Sequence, residues 1–208
     1  MRLRDLEIAL QSIERITDLE ITLEQYPTPA KIVANILYDA EITYNDIQAK
    51  TVIDLGCGDG IFTIGAALLG ATRAIGIDIQ SKALKVSQRN SVSLGTDTKT
   101  DFVLCDVDQI AIAKKFDTVV SNPPFGIKKR GADLSFLRKA IAISKTIYSI
   151  HLGTEKNRAF LEQEIERLGG TVTRIERFEF PIERIYEFHR KAMHMIEVDL
   201  YRIKSECE

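Results

Sequence analysis

TVIDLGCGDG, residues 51–60, joins a short apolar strand to a loop with three alternating glycines. From this decapeptide to residue 168, strand-like segments alternate with segments of helical periodicity. Parallel strands need crossover connections that are usually helices, so the alternation predicts an α/β fold with helices on both faces of the sheet. The predicted strands are Thr51–Leu55, Ala74–Asp78, Asp101–Cys105, Phe116–Ser121 and Ile147–Leu152. The predicted helices cover residues 61–69, 81–93, 133–145 and 155–168.

The segment before the first strand is predicted to be helical. Residues 2–16 carry apolar side chains at spacings of three and four, which is typical of an amphipathic helix. Thr28 can cap a second helix that has Pro29 at its first position. We therefore expect residues 1–48 to form a helical extension of the main fold.

Two longer strands close the chain, at about Thr171–Phe180 and Met193–Ile203. The segment between them contains Pro181 and is too short for a confident crossover helix, so the two strands are expected to pair antiparallel. The complete prediction is one domain over residues 1–208. Its core, residues 49–208, is a Rossmann-like sheet of seven strands, mostly parallel, with an antiparallel C-terminal strand.

Composition narrows the class of protein. The 208 residues are 45% hydrophobic and 28% charged with a net charge of −2, so nucleic-acid contacts would need local patches. No apolar run is long enough for a membrane span, and the first residues lack the pattern of a signal peptide. The cysteines Cys57, Cys105 and Cys207 are odd in number and far apart, which argues against a disulfide framework and against a metal site in this chain. A reducing cytoplasm is the expected compartment.

The glycine loop is predicted to hold a nucleoside cofactor. Its glycines let the backbone turn tightly and approach a ligand, but their spacing departs from the dinucleotide fingerprint. Asp54 opens the loop, and an acid there repels pyrophosphate but suits an ammonium group. The pattern therefore favours S-adenosylmethionine over NAD.

Two further acids follow the next strands of the predicted sheet. Asp78 ends the second strand, where an acid can accept hydrogen bonds from ribose hydroxyls. Asp106 follows the third strand and could accept a hydrogen bond from an adenine amino group, with Val107 and Ile79 against the faces of the ring. Either acid alone would more often be a loop residue or a helix cap. Successive strand ends meet in one crevice, so we expect these acids and Asp54 to lie together.

The tetrapeptide Asn122-Pro123-Pro124-Phe125 follows the fourth strand. The Asn122 side-chain oxygen and the Pro123 carbonyl could accept hydrogen bonds from an amino group on a planar substrate and aim its nitrogen at an electrophile. Prolines stiffen the turn, and Phe125 offers a flat face. A plain Pro-Pro turn is the structural alternative. The pattern indicates methyl transfer to an amino nitrogen attached to a π-system.

Together these motifs resemble the class I S-adenosylmethionine-dependent methyltransferases. The N-P-P-[FY] group of that class includes adenine-N6, guanine-N2 and protein-glutamine enzymes. Five segments resemble the family of methyltransferase-like protein 5 and its archaeal relatives, which methylate N6 of an adenosine in small-subunit ribosomal RNA. The segments are LEQYPT at 23–28, NPPFG at 122–126, D-x-x-F-L at 133–137, F-H-x-K at 188–191 and IEVDL at 196–200.

This resemblance implies a role for each matching residue. Gln25 and Thr28 would border the methionine end of the cofactor. The loop around the cofactor would be lined by Gly56, Asp59 and Ile61. The ribose would be held by Asp78, and the adenine would be contacted by Asp106 and Val107. The target base would be held by Asn122, Pro123 and Phe125. Asp59 departs from the human relative, which has Cys there, so the polar contact at that position is expected to differ.

Two basic segments are candidates for contact with RNA. Lys128, Lys129 and Arg130 follow the tetrapeptide and could contact phosphates, although a basic triplet is usually a solvated loop. Phe188, His189, Arg190 and Lys191 could stack on a base and bind phosphate. His189 taken alone would more often be a structural histidine.

The resemblance also implies a partner, a small zinc-containing activator protein of the Trm112 type, in a heterodimer. The third strand, Thr100–Cys105, is apolar and is expected at a sheet edge that such a partner could extend. Cover by the N-terminal helix is the alternative. For function, guanine-N2 methylation of RNA, protein-glutamine methylation and RNA binding without catalysis remain as alternatives to adenine-N6 methylation.

Overall fold

The computed structural model describes residues 1–16, 26–111, 115–126, 131–183 and 193–206. Within these residues the strands are β1 (Thr51–Leu55), β2 (Arg73–Asp78), β3 (Thr100–Leu104), β4 (Phe116–Ser121), β5 (Ser144–Leu152), β6 (Gly170–Glu183) and β7 (Met193–Ser205). The helices are α1 (Leu3–Gln11), α2 (Ala30–Ile42), α3 (Ile61–Leu68), α4 (Ser81–Ser93), α5 (Ala132–Ile143) and α6 (Glu155–Arg167). None of the helices described is both long and apolar enough to cross a membrane.

The strands form one sheet in the order β3-β2-β1-β4-β5-β7-β6. The first five strands are parallel, β7 runs antiparallel to β5, and β6 runs antiparallel to β7. This confirms the predicted seven-stranded, mostly parallel sheet and the position of β3 at its edge. The strand order reverses beside β1, so the carboxyl ends of β1 and β4 open a crevice where ligands bind in such folds.

Several predicted boundaries were wrong. The helix predicted over 133–145 ends at Ile143, and Ser144 is already extended, with φ −148° and ψ 161°. Ser144 pairs with Phe116 of β4, so hydrogen bonding in the sheet overrides the local helical pattern. The segment containing Pro181 belongs to β6, an edge strand where a missing backbone donor is tolerated. The N-terminal helix ends at Gln11 and does not reach residue 16.

Apolar side chains pack on both faces of the sheet. On one face, Leu6 and Leu10 of α1 are fully buried in a cluster that also contains Leu37 of α2. On the other face, Leu137 of α5 and Leu161 of α6 are fully buried in a second cluster. Helix α1 is thus used to cover α2 and α3, while Val103 and Leu104 of edge strand β3 are 43% and 59% exposed.

A buried polar group joins the segment before β1 to the sheet. We call it the Asp46 cluster, and it consists of Asp46, Tyr148, Arg202 and Lys204. Asp46 Oδ2 accepts hydrogen bonds from Arg202 Nη2 at 2.8 Å and from the Tyr148 hydroxyl at 2.7 Å, and Lys204 Nζ lies 3.3 Å from Asp46 Oδ1. The Arg202 guanidinium also lies over the ring of Tyr44, 3.9 Å from its centroid.

Candidate active site

A cavity of about 250 Å³ lies at the carboxyl ends of the central strands. It is bounded by the glycine loop after β1, by Asp78 and Asp106 after β2 and β3, and by Asn122 after β4. We call it the active-site cavity. Of the three acids that the sequence predicted to lie together, Asp78 and Asp106 line this cavity and Asp54 does not.

The glycine loop takes a backbone conformation that side chains disfavour. Gly56, Gly58 and Gly60 have φ values of +74°, +53° and +84°. A Cβ atom on Gly56 would also lie 3.0 Å from the Phe136 ring, so the loop could not approach α5 as closely with any larger residue. Gly56 therefore permits the close approach of the loop to Phe136, and both residues line the cavity.

Asp78 is oriented by the same loop. Its carboxylate accepts hydrogen bonds from the backbone N–H of Gly58 at 2.9 Å and of Gln80 at 2.8 Å. Burial raises the pKa of Asp78 despite these hydrogen bonds. Asp78 is thus a buried acceptor, held rigidly against the cavity.

Asp54 has a different environment from the one the sequence indicated. Its Oδ2 atom accepts hydrogen bonds from the backbone N–H of Thr63 at 3.2 Å and from its hydroxyl at 2.8 Å. Burial raises the pKa of Asp54 to about 7. In the described part of the chain, Asp54 is absent from the lining of the cavity. This acid fixes the first turn of α3 relative to β1, and Asp59 is the loop acid that reaches the cavity.

Asp59 pairs with an arginine that the sequence did not single out. Arg15 Nη1 lies 2.8 Å from Asp59 Oδ2, and Arg15 Nη2 donates to the Thr28 carbonyl at 3.1 Å. Burial raises the pKa of Asp59, and the Arg15 charge opposes that rise. Asp59, Thr28 and Ile61 all line the cavity. Arg15 thereby joins the N-terminal segment to two walls of the cavity.

Asp106 and Val107 begin the short 3₁₀ turn Val107–Gln109. Asp106 Oδ1 accepts from the backbone N–H of Asp108 at 3.0 Å and caps this turn. Val107 is buried, while Ile79 is 57% exposed, and both line the cavity with Asp106. This end of the cavity combines apolar surfaces with the Asp106 carboxylate.

Asn122 lies at the opposite wall, and its amide has one partner. Asn122 Nδ2 donates to Thr28 Oγ1 at 2.9 Å. The other amide atom, Oδ1, is buried and has no hydrogen-bond donor among the residues that the structure describes. A buried acceptor without a partner is unfavourable, so this oxygen is suited to receive a donor from a ligand.

The rest of the tetrapeptide is tightly packed. Pro124 lines the cavity, whereas Pro123 and Phe125 are buried. The Phe125 ring stacks on Tyr26, with centroids 5.8 Å apart and planes at 18°, and forms a T-shaped pair with Phe180 at 6.1 Å and 83°. The predicted flat face of Phe125 is present and is covered by another ring.

The comparisons with known proteins agree with this geometry. The family model for ribosomal protein L11 methyltransferase (PrmA) matches residues 39–123. The zebrafish rRNA N(6)-adenosine-methyltransferase METTL5 is 39% identical over 206 residues, covering 97% of this chain and 98% of its own. The Drosophila melanogaster Mettl5 of the same description is 34% identical, covering 100% and 99%.

The chain belongs to the METTL5 family.

A solved structure supports the same assignment of the fold. PH1948 from Pyrococcus horikoshii superposes with a TM-score of 0.91 at 35% identity, covering 99% of this chain and 98% of its own. The fold is the Rossmann-like sheet of class I methyltransferases. The PrmA match covers the glycine loop and ends at Pro123 of this METTL5-family chain.

A buried polar group behind the cavity wall of this METTL5-family chain was missed by sequence reasoning. His151 at the end of β5 is buried, with Nδ1 3.8 Å from Asp133 Oδ2 and Nε2 2.9 Å from the Ser149 hydroxyl. Asp133 lies in the first turn of α5, one turn before Phe136 of the cavity wall. Only the D-x-x-F-L spacing hinted at this region, and nothing in the sequence linked it to His151.

Several predicted site residues lie outside the described residues. They are Gln25, Lys128, Lys129, Arg130, Phe188, His189, Arg190 and Lys191. Their roles stay predictions. In the ranges that the structure does describe, no group of three or more His, Cys, Asp or Glu side chains is arranged to hold a metal ion.

Proposed function

We propose that this protein transfers a methyl group from S-adenosylmethionine to N6 of an adenosine in small-subunit ribosomal RNA. The full-length similarity to METTL5 enzymes supports the substrate class. The observation that carries the chemistry is the buried Asn122 Oδ1, which faces no donor among the described residues and belongs to the same cavity as Asp78.

The residues around the cavity fit the cofactor. In this proposal Asp78 accepts hydrogen bonds from the ribose, while Asp106 binds the adenine amino group beside Val107 and Ile79. Asp59 and Thr28, with Gln25, border the methionine end. The three acids and the apolar wall suit a ligand with two hydroxyls, a planar ring and a cationic end.

The chemistry requires positioning rather than a strong base. Bound S-adenosylmethionine would supply an electrophilic methyl group. Asn122 Oδ1 and the Pro123 carbonyl would accept the two hydrogens of the amino group and hold the nitrogen lone pair toward that methyl group. Thr28 would fix the amide so that its oxygen, and not its nitrogen, is presented. The nitrogen becomes acidic as it is methylated, so its proton can leave without a dedicated base.

The basic segments are proposed to hold the RNA. Lys128, Lys129 and Arg130 would contact phosphates beside the tetrapeptide, while Phe188 to Lys191 would stack on or clamp the strand. A target adenosine inside a helix would have to be flipped out to reach Asn122.

The decisive experiment identifies the methylated nucleoside. The protein is incubated with labelled S-adenosylmethionine and small-subunit RNA, and the RNA is digested to nucleosides. N6-methyladenosine is expected. N2-methylguanosine would replace the proposal with a guanine enzyme, and label found only in protein would contradict RNA methylation altogether.

We also propose that a small zinc-containing activator of the Trm112 type pairs with the edge strand β3. The exposed Val103 and Leu104 give that edge an apolar surface that strand addition would cover. Leu104→Asp should abolish co-purification with the activator. Phe160→Asp is the matched control, because Phe160 is an exposed apolar residue on α6 with 45% exposure. Equal binding by both variants would contradict an edge-strand interface.

A further inference from the structure

Phe125 is the residue on which a planar substrate is expected to stack, yet its ring is only 7% exposed. One face is covered by Tyr26, whose ring is nearly parallel to it at 18° with a centroid distance of 5.8 Å. The ring also forms a T-shaped contact with Phe180, which is fully buried. In this state no face of Phe125 is open to a base.

The space between the two rings is too small for a third ring. Carbon atoms in contact are at least about 3.5 Å apart, so a base between two parallel rings needs about 7 Å from one ring to the other. The Tyr26 and Phe125 centroids are 5.8 Å apart. A base can therefore stack on this face of Phe125 only after one of the two rings has moved.

The surroundings indicate that Tyr26 is the ring that moves. Phe125 is buried against Phe180 of the core, whereas Tyr26 is half-buried and precedes the exposed Pro27. Thr28, two residues further along, is held by the Asn122 side chain and by Arg15. Rotation of Tyr26 about this anchor would leave the tetrapeptide in place.

The buried oxygen of Asn122 shows separately that the base site is closed in this state. Oδ1 is inaccessible to solvent and lacks a donor in the described part of the chain, although the proposed reaction needs it to accept a substrate hydrogen. A closed state in which an acceptor stays unsatisfied is unfavourable and is readily exchanged for one in which a ligand supplies the donor.

We propose that the Tyr26 ring covers the base site of the free protein and moves off Phe125 when the target base stacks there. The inference rests on the proposed function, which makes that base an adenine. One aromatic stack is exchanged for another, while Asn122 Oδ1 gains the amino hydrogen that it lacks. The cover lowers the apparent affinity for the base about 2- to 10-fold, the factor that corresponds to one aromatic pair.

Fluorine NMR tests the movement of the ring directly. Tyr26→3-fluorotyrosine places a probe next to Phe125, and Tyr38→3-fluorotyrosine on α2 is the matched control. With S-adenosylhomocysteine bound, small-subunit RNA or adenosine should shift the signal at position 26 and leave the one at position 38 in place. An unchanged signal at RNA concentrations that saturate methylation by the same labelled protein would overturn the proposal.

Two variants test the effect on affinity. Tyr26→Ala should bind adenosine 2- to 10-fold more tightly than the wild type, whereas Tyr26→Phe, which keeps the ring, should stay close to the wild type. S-adenosylhomocysteine affinity is measured in parallel, because Tyr26 also lines the cavity. Weaker adenosine binding by Tyr26→Ala, with unchanged S-adenosylhomocysteine affinity, would mean that the ring holds the base and does not yield to it.

The same measurements separate this inference from the proposed function. If guanosine moves the fluorine signal and adenosine does not, Tyr26 still covers the site and the adenosine assignment fails. If the RNA gains N6-methyladenosine while the signal stays fixed, the function stands and the role of Tyr26 fails.

Discussion

The Asp46 cluster and the active-site cavity both bury carboxylates, but they compensate them differently. Asp46 has Arg202 at 2.8 Å, Lys204 at 3.3 Å and the Tyr148 hydroxyl at 2.7 Å. Among the described residues, Asp78 in the cavity accepts hydrogen bonds from the backbone N–H groups of Gly58 and Gln80, and burial raises its pKa. In the Asp46 cluster the carboxylate is paired with side chains of the protein itself, whereas the active-site cavity keeps acceptors that a ligand can use.

The difference separates residues that stabilise from residues that bind. Removing a partner from the Asp46 cluster leaves a buried charge without compensation, so the damage falls on folding. Removing Asn122 takes away an oxygen that has no donor among the described residues, so the damage should fall on catalysis. The predictions below test this separation, beginning with the largest effect.

Asn122→Ala should lower the rate of methylation at least about 100-fold, because the amino group loses an acceptor that positions it in the transition state. S-adenosylmethionine affinity, measured by calorimetry, should change little. Asn35→Ala on α2, where the side chain donates to the Lys31 carbonyl, is the matched control and should keep near-normal turnover. Near-normal turnover of Asn122→Ala would contradict the assigned role.

Asp46→Ala should destabilise the fold by about 3 kcal/mol, which is roughly 10 °C in Tm for a chain of this size. The reason is that Arg202, with a side chain 9% exposed, loses its carboxylate partner. Turnover below the unfolding temperature should stay unchanged. Asp101→Ala breaks the exposed Arg73–Asp101 pair and should cost less than about 1 kcal/mol. Similar melting curves for Asp46→Ala and Asp101→Ala would contradict the stabilising role of the Asp46 cluster.

How much of the site could be predicted from the sequence depends on how far apart along the chain the contacting residues lie. The glycine loop, Asp78 and the tetrapeptide are local patterns at strand ends, and the parallel topology brings them together. Arg15 and Asp59 are 44 positions apart, and no periodicity links them. Ser144 was predicted helical because its pairing with β4 is invisible to local propensity. The cover of Phe125 by Tyr26 likewise depends on two segments that only the folded chain brings into contact.

Asp54 should make stability depend on pH. Burial raises its pKa to about 7, whereas an aspartate in an unfolded chain titrates near 4. The folded protein thus holds the proton more tightly, and this contribution to stability is complete below about pH 4 and is lost as the pH rises through about 7. Scanning calorimetry should show a fall in Tm between about pH 5 and pH 8, and a smaller fall for Asp54→Asn.

Asp117 provides a control of opposite sign. Desolvation alone would raise its pKa, but hydrogen bonds from Thr51 outweigh it and the pKa of Asp117 is lowered. Its contribution to stability is present above the unfolded pKa of about 4 and is lost as the pH falls. Asp117→Asn should therefore leave the slope between about pH 5 and pH 8 unchanged. Equal slopes for wild type and Asp54→Asn would show that Asp54 stays ionised.

The smallest expected effect compares two neighbours in the N-terminal segment. Glu14 pairs with Arg89, and both side chains are more than half exposed, whereas Arg15 pairs with Asp59, whose side chain is 7% exposed. Glu14→Gln should leave both the midpoint of thermal unfolding and cofactor binding nearly unchanged, because solvent screens this exposed pair.

Arg15→Gln removes the charge that keeps the pKa of buried Asp59 from rising further. If Asp59 contacts the cationic end of the cofactor, that contact weakens at neutral pH because a larger fraction of Asp59 is protonated and neutral. S-adenosylmethionine affinity should therefore fall a few-fold and recover at higher pH. Calorimetric titration of both variants at two pH values measures this. Arg15 also binds the Thr28 carbonyl, at 3.1 Å. If Arg15→Gln loses the same affinity at both pH values, Arg15 acts by positioning Thr28 and not by controlling the charge of Asp59.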